Sequence, residues 1–199
     1  MGAYKRLGPM RRVTPNETSA AVVPANYIPH HGIWQQGDAG AKLRVVFDAL
    51  RPTSSGASLN DVLCRGPKLQ RDIWVVLLRW RTYKVAFCSD VRMMFRQIKV
   101  NKLDVDWQCI PWSPNSRELA RHFQLLTVTY GTACAPYLSL RTLQQLCDDE
   151  GDKFPRARIA TLRDRYVDDV LSGADDVEDA LTLRDELIQL IKAGRLSLG

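Results

Sequence analysis

The sequence predicts an α+β fold, and three observations carry that expectation. Apolar runs of strand length, at Leu43–Phe47, Lys84–Val91, Trp107–Trp112 and Phe123–Val128, alternate irregularly with segments of helical spacing, unlike the strict alternation of a doubly wound sheet. The chain has 199 residues, enough for one domain or one and a half. Its apolar fraction of 45% and charged fraction of 25% sit near the globular average, which excludes a wholly disordered chain. No apolar run approaches the roughly 18 residues of a membrane span, since the longest candidate, Ile73–Leu78, stops at Arg79. The opening Met-Gly-Ala-Tyr-Lys-Arg lacks the apolar core of a secretory signal, and Arg6 stands where a myristoylation signal needs Ser or Thr. A soluble, intracellular chain that is not secreted is therefore expected.

Taken in order, residues 1–20 mix basic residues with Gly, Pro, Ser, Thr and Asn without any period, so a basic flexible arm is expected there. Val22-Val23 and Leu43–Phe47 are short apolar runs, and the polar stretch Gln35–Gly40 between them reads as a hairpin tip. Pro52–Ser58 reads as a loop. Pro67 suits a helix first turn, with Ile73, Val76, Leu77 and Trp80 following at helical spacing. Lys84–Val91 reads as a buried strand ending at Asp90, and Trp107–Trp112 and Phe123–Val128 as two more. Pro136 opens a helix with Leu140, Leu143 and Cys147 along one face, and Gly151 follows its end. The last helix has Asp175 as cap, Glu178 completing a box-like pair, a stripe of Leu181, Leu187, Ile188 and Ile191, and then Gly194.

The net charge of +6 and pI near 9.2 admit nucleic acid as a partner without requiring it. The distribution is more informative. Lys5, Arg6, Arg11 and Arg12 are clustered, Arg65–Arg96 is base-rich, and Asp148–Glu186 is acidic. Five cysteines, an odd number with no C-x-x-C pair, disfavour zinc and a disulfide framework and predict reduced core thiols.

Three places bear chemistry. Asp90 ends an apolar strand within Phe87-Cys88-Ser89-Asp90-Val91-Arg92, where an Asp taken alone is ordinarily a cap. Asp168-Asp169 lies in Tyr166-Val167-Asp168-Asp169-Val170-Leu171. Adjacent Asp residues usually mark a solvated turn, as Asp175-Asp176 do, but here apolar pairs flank them symmetrically, which predicts a rigid hairpin tip. Mg²⁺ takes oxygen ligands, commonly one or two carboxylates plus substrate phosphates. Asp90, Asp168 and Asp169 together can hold two such ions about 4 Å apart for in-line phosphoryl transfer. Thr129–Pro136 is a small-residue loop before a Pro-started helix; it permits close backbone approach to a ligand, and tight helix–sheet packing explains it equally well.

Together these strings resemble the fingers and palm of a reverse transcriptase, in particular that of the Bel-Pao class of long-terminal-repeat retrotransposons. Asp90-Val91-Arg92 through Phe95 is similar to polymerase motif A, Tyr130-Gly131 through Pro136 to motif B, and Tyr166-Val167-Asp168-Asp169 to motif C. Lys42–Asp48 is similar to the finger strand, and Tyr27–Gly32, Ser58–Leu63 and Leu171–Ala174 are further family-like strings. The likeness spans roughly residues 20–193. Y-V-D-D alone is weakly specific, whereas four motifs in the family's order are not.

The resemblance implies an α+β right-hand polymerase with an antiparallel palm sheet packed on helices and no thumb: a flexible arm at 1–20, then fingers and palm over 21–199, without thumb, connection or RNase H. It implies an RNA-directed DNA polymerase using two Mg²⁺, with Mn²⁺ as a substitute, on an RNA or DNA template-primer and deoxynucleoside triphosphates. Asp90, Asp168 and Asp169 would be catalytic and hold the metals, helped by the Val91 carbonyl. Arg44, Phe95, Tyr130 and Gly131 would contact the nucleotide, with Arg44 on the triphosphate and Phe95 as the steric gate against a ribose 2′-hydroxyl. Lys42 and Arg65 would contact nucleic acid. His30 and His31 read as structural, since neighbours on a strand point to opposite faces. Localisation would be cytoplasmic in a particle, and nuclear, with the remaining polyprotein segments as partners and no membrane.

Two departures qualify the likeness. Gln35–Ala41 has no Lys at the finger tip, which predicts weaker nucleotide binding, and the chain stops at Gly199, which predicts poor primer extension by it alone. Two rival readings follow: a truncated or domesticated relic that binds nucleic acid without catalysis, and an unrelated Mg²⁺-dependent phosphotransfer or receiver-type domain, for which the motif order would be coincidence.

Overall fold

The computed structural model describes residues 10–13, 26–37, 40–115 and 117–199. In chain order the elements are β1 (Met10–Arg12), β2 (His30–Gly37), β3 (Gly40–Phe47), α1 (Leu59–Val62), α2 (Ile73–Trp80), β4 (Val85–Asp90), α3 (Met94–Gln97), β5 (Cys109–Trp112), β6 (Arg121–Leu125), α4 (Ala135–Glu150), α5 (Pro155–Arg163), β7 (Arg165–Tyr166), β8 (Asp169–Ala174) and α6 (Val177–Ala193). Among the described residues all the sheet ladders are antiparallel and mixed with helices, which fits an α+β fold class. The chain divides into two compact units, Met1–Arg65 with Ile98–Ala135, and Gly66–Gln97 with Pro136–Gly199.

The first unit holds a three-stranded sheet in the order β1-β6-β5 and the hairpin β2-β3, paired from His30↔Phe47 to Gly37↔Gly40. Its core gathers Met10, Ile28, Val45, Phe47, Leu59, Ile110, Phe123 and Leu125. Met10–Arg12 falls inside the expected arm but is a strand: Met10 is buried against the core and pairs with Leu125, which draws this stretch onto the sheet. The rest of the arm and Val22-Val23 lie outside the described residues. Trp107 and Gln108 belong to a 3₁₀ turn before β5 instead of to the strand, and β6 ends at Leu125.

His30 and His31 do point to opposite faces. The His30 ring is half-buried, 6.1 Å from Phe47, while His31 is exposed. Burial pushes the His30 pKa below its usual 6.5. The unfolded chain therefore binds this proton at higher pH than the folded one, so stability present above about pH 6.5 is lost as pH falls below it. His30→Gln is expected to flatten thermal stability across that window; an unchanged pH profile would assign the dependence elsewhere.

In the second unit β4-β8-β7 form a sheet that packs against α2, α5 and α6. α4 buries Leu140, Leu143 and Cys147, and α6 buries Ala180, Leu183, Leu187, Leu190 and Ile191. Leu181 and Ile188, expected in the α6 stripe, are exposed, and Asp176 rather than Asp175 caps this helix, accepting the Asp179 N–H at 2.8 Å. Pro67 starts no helix: α2 begins at Ile73 after an extended stretch. β4 is an edge strand and not a buried one: its residues alternate between half-buried and exposed, because successive side chains point to opposite, unequally covered faces. α5 has no counterpart in the expected elements, since it buries only Ala157, Ala160 and Thr161 and shows no apolar stripe. Of the five free cysteines Cys109 and Cys147 are core thiols, whereas Cys64 and Cys88 are exposed. Burial, with Asp106 adding to it, pushes Cys109 up to about 11, so it stays an inert thiol.

Candidate active site

β4 and β8 pair from Val85↔Ala174 to Asp90↔Asp169, which places Asp90 directly across from Asp169 at one end of the sheet. Directly opposed residues share a face, so both carboxylates stand on the same side as Cys88 and Leu171. β7 and β8 pair through Tyr166↔Asp169, leaving Val167 and Asp168 as a two-residue turn. The tip is shifted by one residue from the symmetric expectation: Val167 enters the turn in place of Asp169, which starts β8 because it pairs with Tyr166, while Val170 is fully buried and Tyr166 and Leu171 are half-buried. Val167 adopts φ +56°, the left-handed region, where a β-branched side chain costs about 1–3 kcal/mol. The main chain of Asp168 is fixed to the segment after β4 as well, because the Val91 N–H donates to its carbonyl at 2.8 Å.

Electrostatics mark the three carboxylates as one cluster. Burial raises the Asp90 carboxyl above the ordinary range and the Asp168 and Asp169 charges raise it further, with Arg92 opposing them. Asp169 is raised by burial and by Asp168. The Cys88 thiol is held up by burial, Asp169 and Asp90, so it stays protonated beside them. An all-oxygen donor set under mutual repulsion suits a hard divalent cation. Among the described residues no three His, Cys, Asp or Glu side chains are gathered as a ready-made metal cage. The Val91 carbonyl accepts the Met94 N–H at 3.2 Å. Phe95 is half-buried on α3, in the same unit.

The other expected site residues belong to the first unit. The Arg44 guanidinium lies 5.9 Å from the Tyr130 ring centroid, and Lys42 and Arg65 are exposed. The Tyr130 ring packs on Phe47 at 5.3 Å, and its hydroxyl donates to the Val45 carbonyl. Gly131 has φ +93°, and a Cβ there would sit 2.7 Å from the Phe47 carbonyl oxygen, so this position needs glycine for close packing within the unit.

Three residues escaped the sequence reading. Asn60, buried, donates to the Gly131 carbonyl at 2.9 Å and accepts the Ala133 N–H at 2.7 Å, holding the Tyr130–Pro136 loop. Asp164, 1% exposed, accepts from Arg79, Arg163, Tyr83 and Ser172 beneath the hairpin. Gln70 contacts the hairpin from the extended stretch before α2. Asn60 sits among Ser58 and Asp61 on the short helix α1 and, like the other two, looks like a solvated polar residue in sequence.

No protein-family profile matches the chain, and no curated protein matches it significantly. No described helix is long and apolar enough to cross a membrane.

Proposed function

We propose that this chain is the fingers and palm of a reverse transcriptase, transferring a deoxynucleotide to a primer 3′-hydroxyl on an RNA template. The observation that carries the reading is the register Asp90↔Asp169 with Asp168 at the adjoining turn, which gathers carboxylates from two distant motifs at one end of the sheet. Mg²⁺, when bound, supplies Lewis acidity at the reacting phosphate and neutralises developing charge. Asp90, Asp168 and Asp169 present the anionic oxygens that hold it, and Val91 adds a carbonyl. Arg44 is proposed for the triphosphate, Tyr130 and Gly131 for the nucleotide, and Lys42 and Arg65 for nucleic-acid phosphates. The new bond joins the primer 3′-oxygen to the α-phosphorus as the bond to pyrophosphate breaks.

The test is extension of oligo(dT) on poly(rA) at low salt, with the chain in excess over primer. Slow dTMP addition that needs Mg²⁺ and stops with EDTA is expected; nucleic-acid binding with no addition would leave the non-catalytic relic. Phe95 carries a separate expectation. Its ring, five residues past Asp90, is proposed to crowd a ribose 2′-hydroxyl. Phe95→Val should then raise UTP use relative to dTTP by about tenfold or more. An unchanged ratio would make Phe95 a packing residue only.

A further inference from the structure

We infer that Gln70 is a positioning residue that clamps the strained Val167–Asp168 turn and so aims the Asp168 carboxylate, an inference that rests on the cation-binding role proposed for this cluster. β7 is an edge strand, so its outer N–H and C=O groups lack a strand partner among the described residues. The Gln70 side-chain amide supplies one: its Oε1 accepts the Val167 N–H at 2.9 Å, and its Nε2 donates to the Arg165 carbonyl at 3.2 Å. The same Nε2 donates to the Arg71 carbonyl at 3.0 Å, which fixes the amide's own orientation.

The peptide before the turn is thus pinned by Gln70 and the one after it by Val91, whose N–H reaches the Asp168 carbonyl at 2.8 Å. Between these two anchors Val167 holds φ +56°, a conformation a β-branched residue leaves when released. Relaxation of Val167 turns the Asp168 Cα–Cβ direction away from Asp90 and Asp169. Gln70 is half-buried in the stretch before α2, so its truncation removes one bond to the turn and one to β7 without opening the core.

The experiment uses the full chain with Mn²⁺ as probe and three variants: Gln70→Ala, Val167→Gly, and the two combined. Gln70→Ala should weaken Mn²⁺ binding roughly 10–100-fold, the range found when a residue supporting a metal ligand is lost. It should also speed hydrogen exchange at the Val167 amide in metal-free protein, with Tm little changed. Glycine takes a positive φ freely, so in the Val167→Gly background the same truncation should cost less than about threefold in Mn²⁺ affinity. Unchanged Mn²⁺ affinity in Gln70→Ala, or an equal loss in both backgrounds, would overturn the inference while leaving the carboxylate cluster intact. Absence of Mn²⁺ binding by the wild-type chain would overturn the proposed function, and the positioning role with it. Gln70→Glu keeps the acceptor for the Val167 N–H and should keep that amide protected; fast exchange there would likewise contradict the clamp.

Discussion

Asp168→Asn is expected to cut Mg²⁺-dependent nucleotide addition by roughly 10³-fold or more, because a metal's stabilisation of transition-state charge amounts to several kcal/mol. The amide keeps the size of the carboxylate but not its charge, so the turn remains and the ligand is lost. The same substitution should leave the fold intact or slightly stronger. Asp90 and Asp169 hold their protons to higher pH when folded, through burial first and neighbouring carboxylates second. Between the ordinary 3.8 and those raised values the folded chain binds more protons, so metal-free stability falls as pH rises through that window. Asp168→Asn removes part of the repulsion, flattens that fall and raises Tm by up to about 2 °C, a small gain because these groups are substantially exposed. Lost activity with retained or raised Tm is the signature of a site that holds charge for function at the expense of stability. A loss of both would place Asp168 in the fold instead.

The largest effect on stability is expected at Asp164. This carboxylate accepts from Arg79 at 3.1 Å, Arg163 at 2.9 Å, Tyr83 at 3.2 Å and Ser172 at 3.0 Å. Its backbone carbonyl takes the Leu171 N–H, so it joins the end of α5 to the root of the β7–β8 hairpin. Removing one partner of a buried ion pair costs about 3–5 kcal/mol, because the remaining groups lose their compensation. The Arg79 and Arg163 side chains are 28% and 41% exposed, so water recovers part of that. Asp164→Ala should therefore cost about 3 kcal/mol and lower Tm by roughly 6–12 °C in a chain of this length. Asp164→Asn, which keeps an acceptor for Ser172 or Tyr83, should lose about half as much. A shift below 2 °C on calorimetric melting would show that the network is not what holds the hairpin root.

The parts legible in the sequence are those that local rules decide. Apolar residues around Asp168-Asp169 announced a hairpin, since Val170 had to be buried, but the turn itself, Val167-Asp168, is set by the Tyr166↔Asp169 pairing and lies one residue off the symmetric expectation. Pro136 and the Leu140–Leu143–Cys147 face announced α4 in the same way. What failed was set by long-range partners. Met10 becomes a strand residue only because β6, more than a hundred positions away, offers a free edge and a core to enter. α5 buries alanines, which leave no periodic trace among its arginines. Asp164 reads as one more charge in Leu-Arg-Asp-Arg until Arg79, Tyr83 and Ser172 converge on it from three other segments. The cluster itself fell between the two cases. Asp90, Asp168 and Asp169 each look like an ordinary turn or cap residue alone, and the Asp90↔Asp169 register that joins them is a property of the sheet.

Template direction separates polymerisation from any other chemistry that three carboxylates and a divalent cation can perform. The decisive measurement supplies dATP, dCTP, dGTP and dTTP singly, under single-turnover conditions with Mg²⁺, to wild-type chain on poly(rA)–oligo(dT), with Asp168→Asn in parallel. Addition of dTMP alone by the wild type, and of nothing by the variant, is the predicted result. Equal addition of all four nucleotides, or dTMP addition that survives in Asp168→Asn, would contradict the assignment of templated nucleotidyl transfer to this carboxylate hairpin.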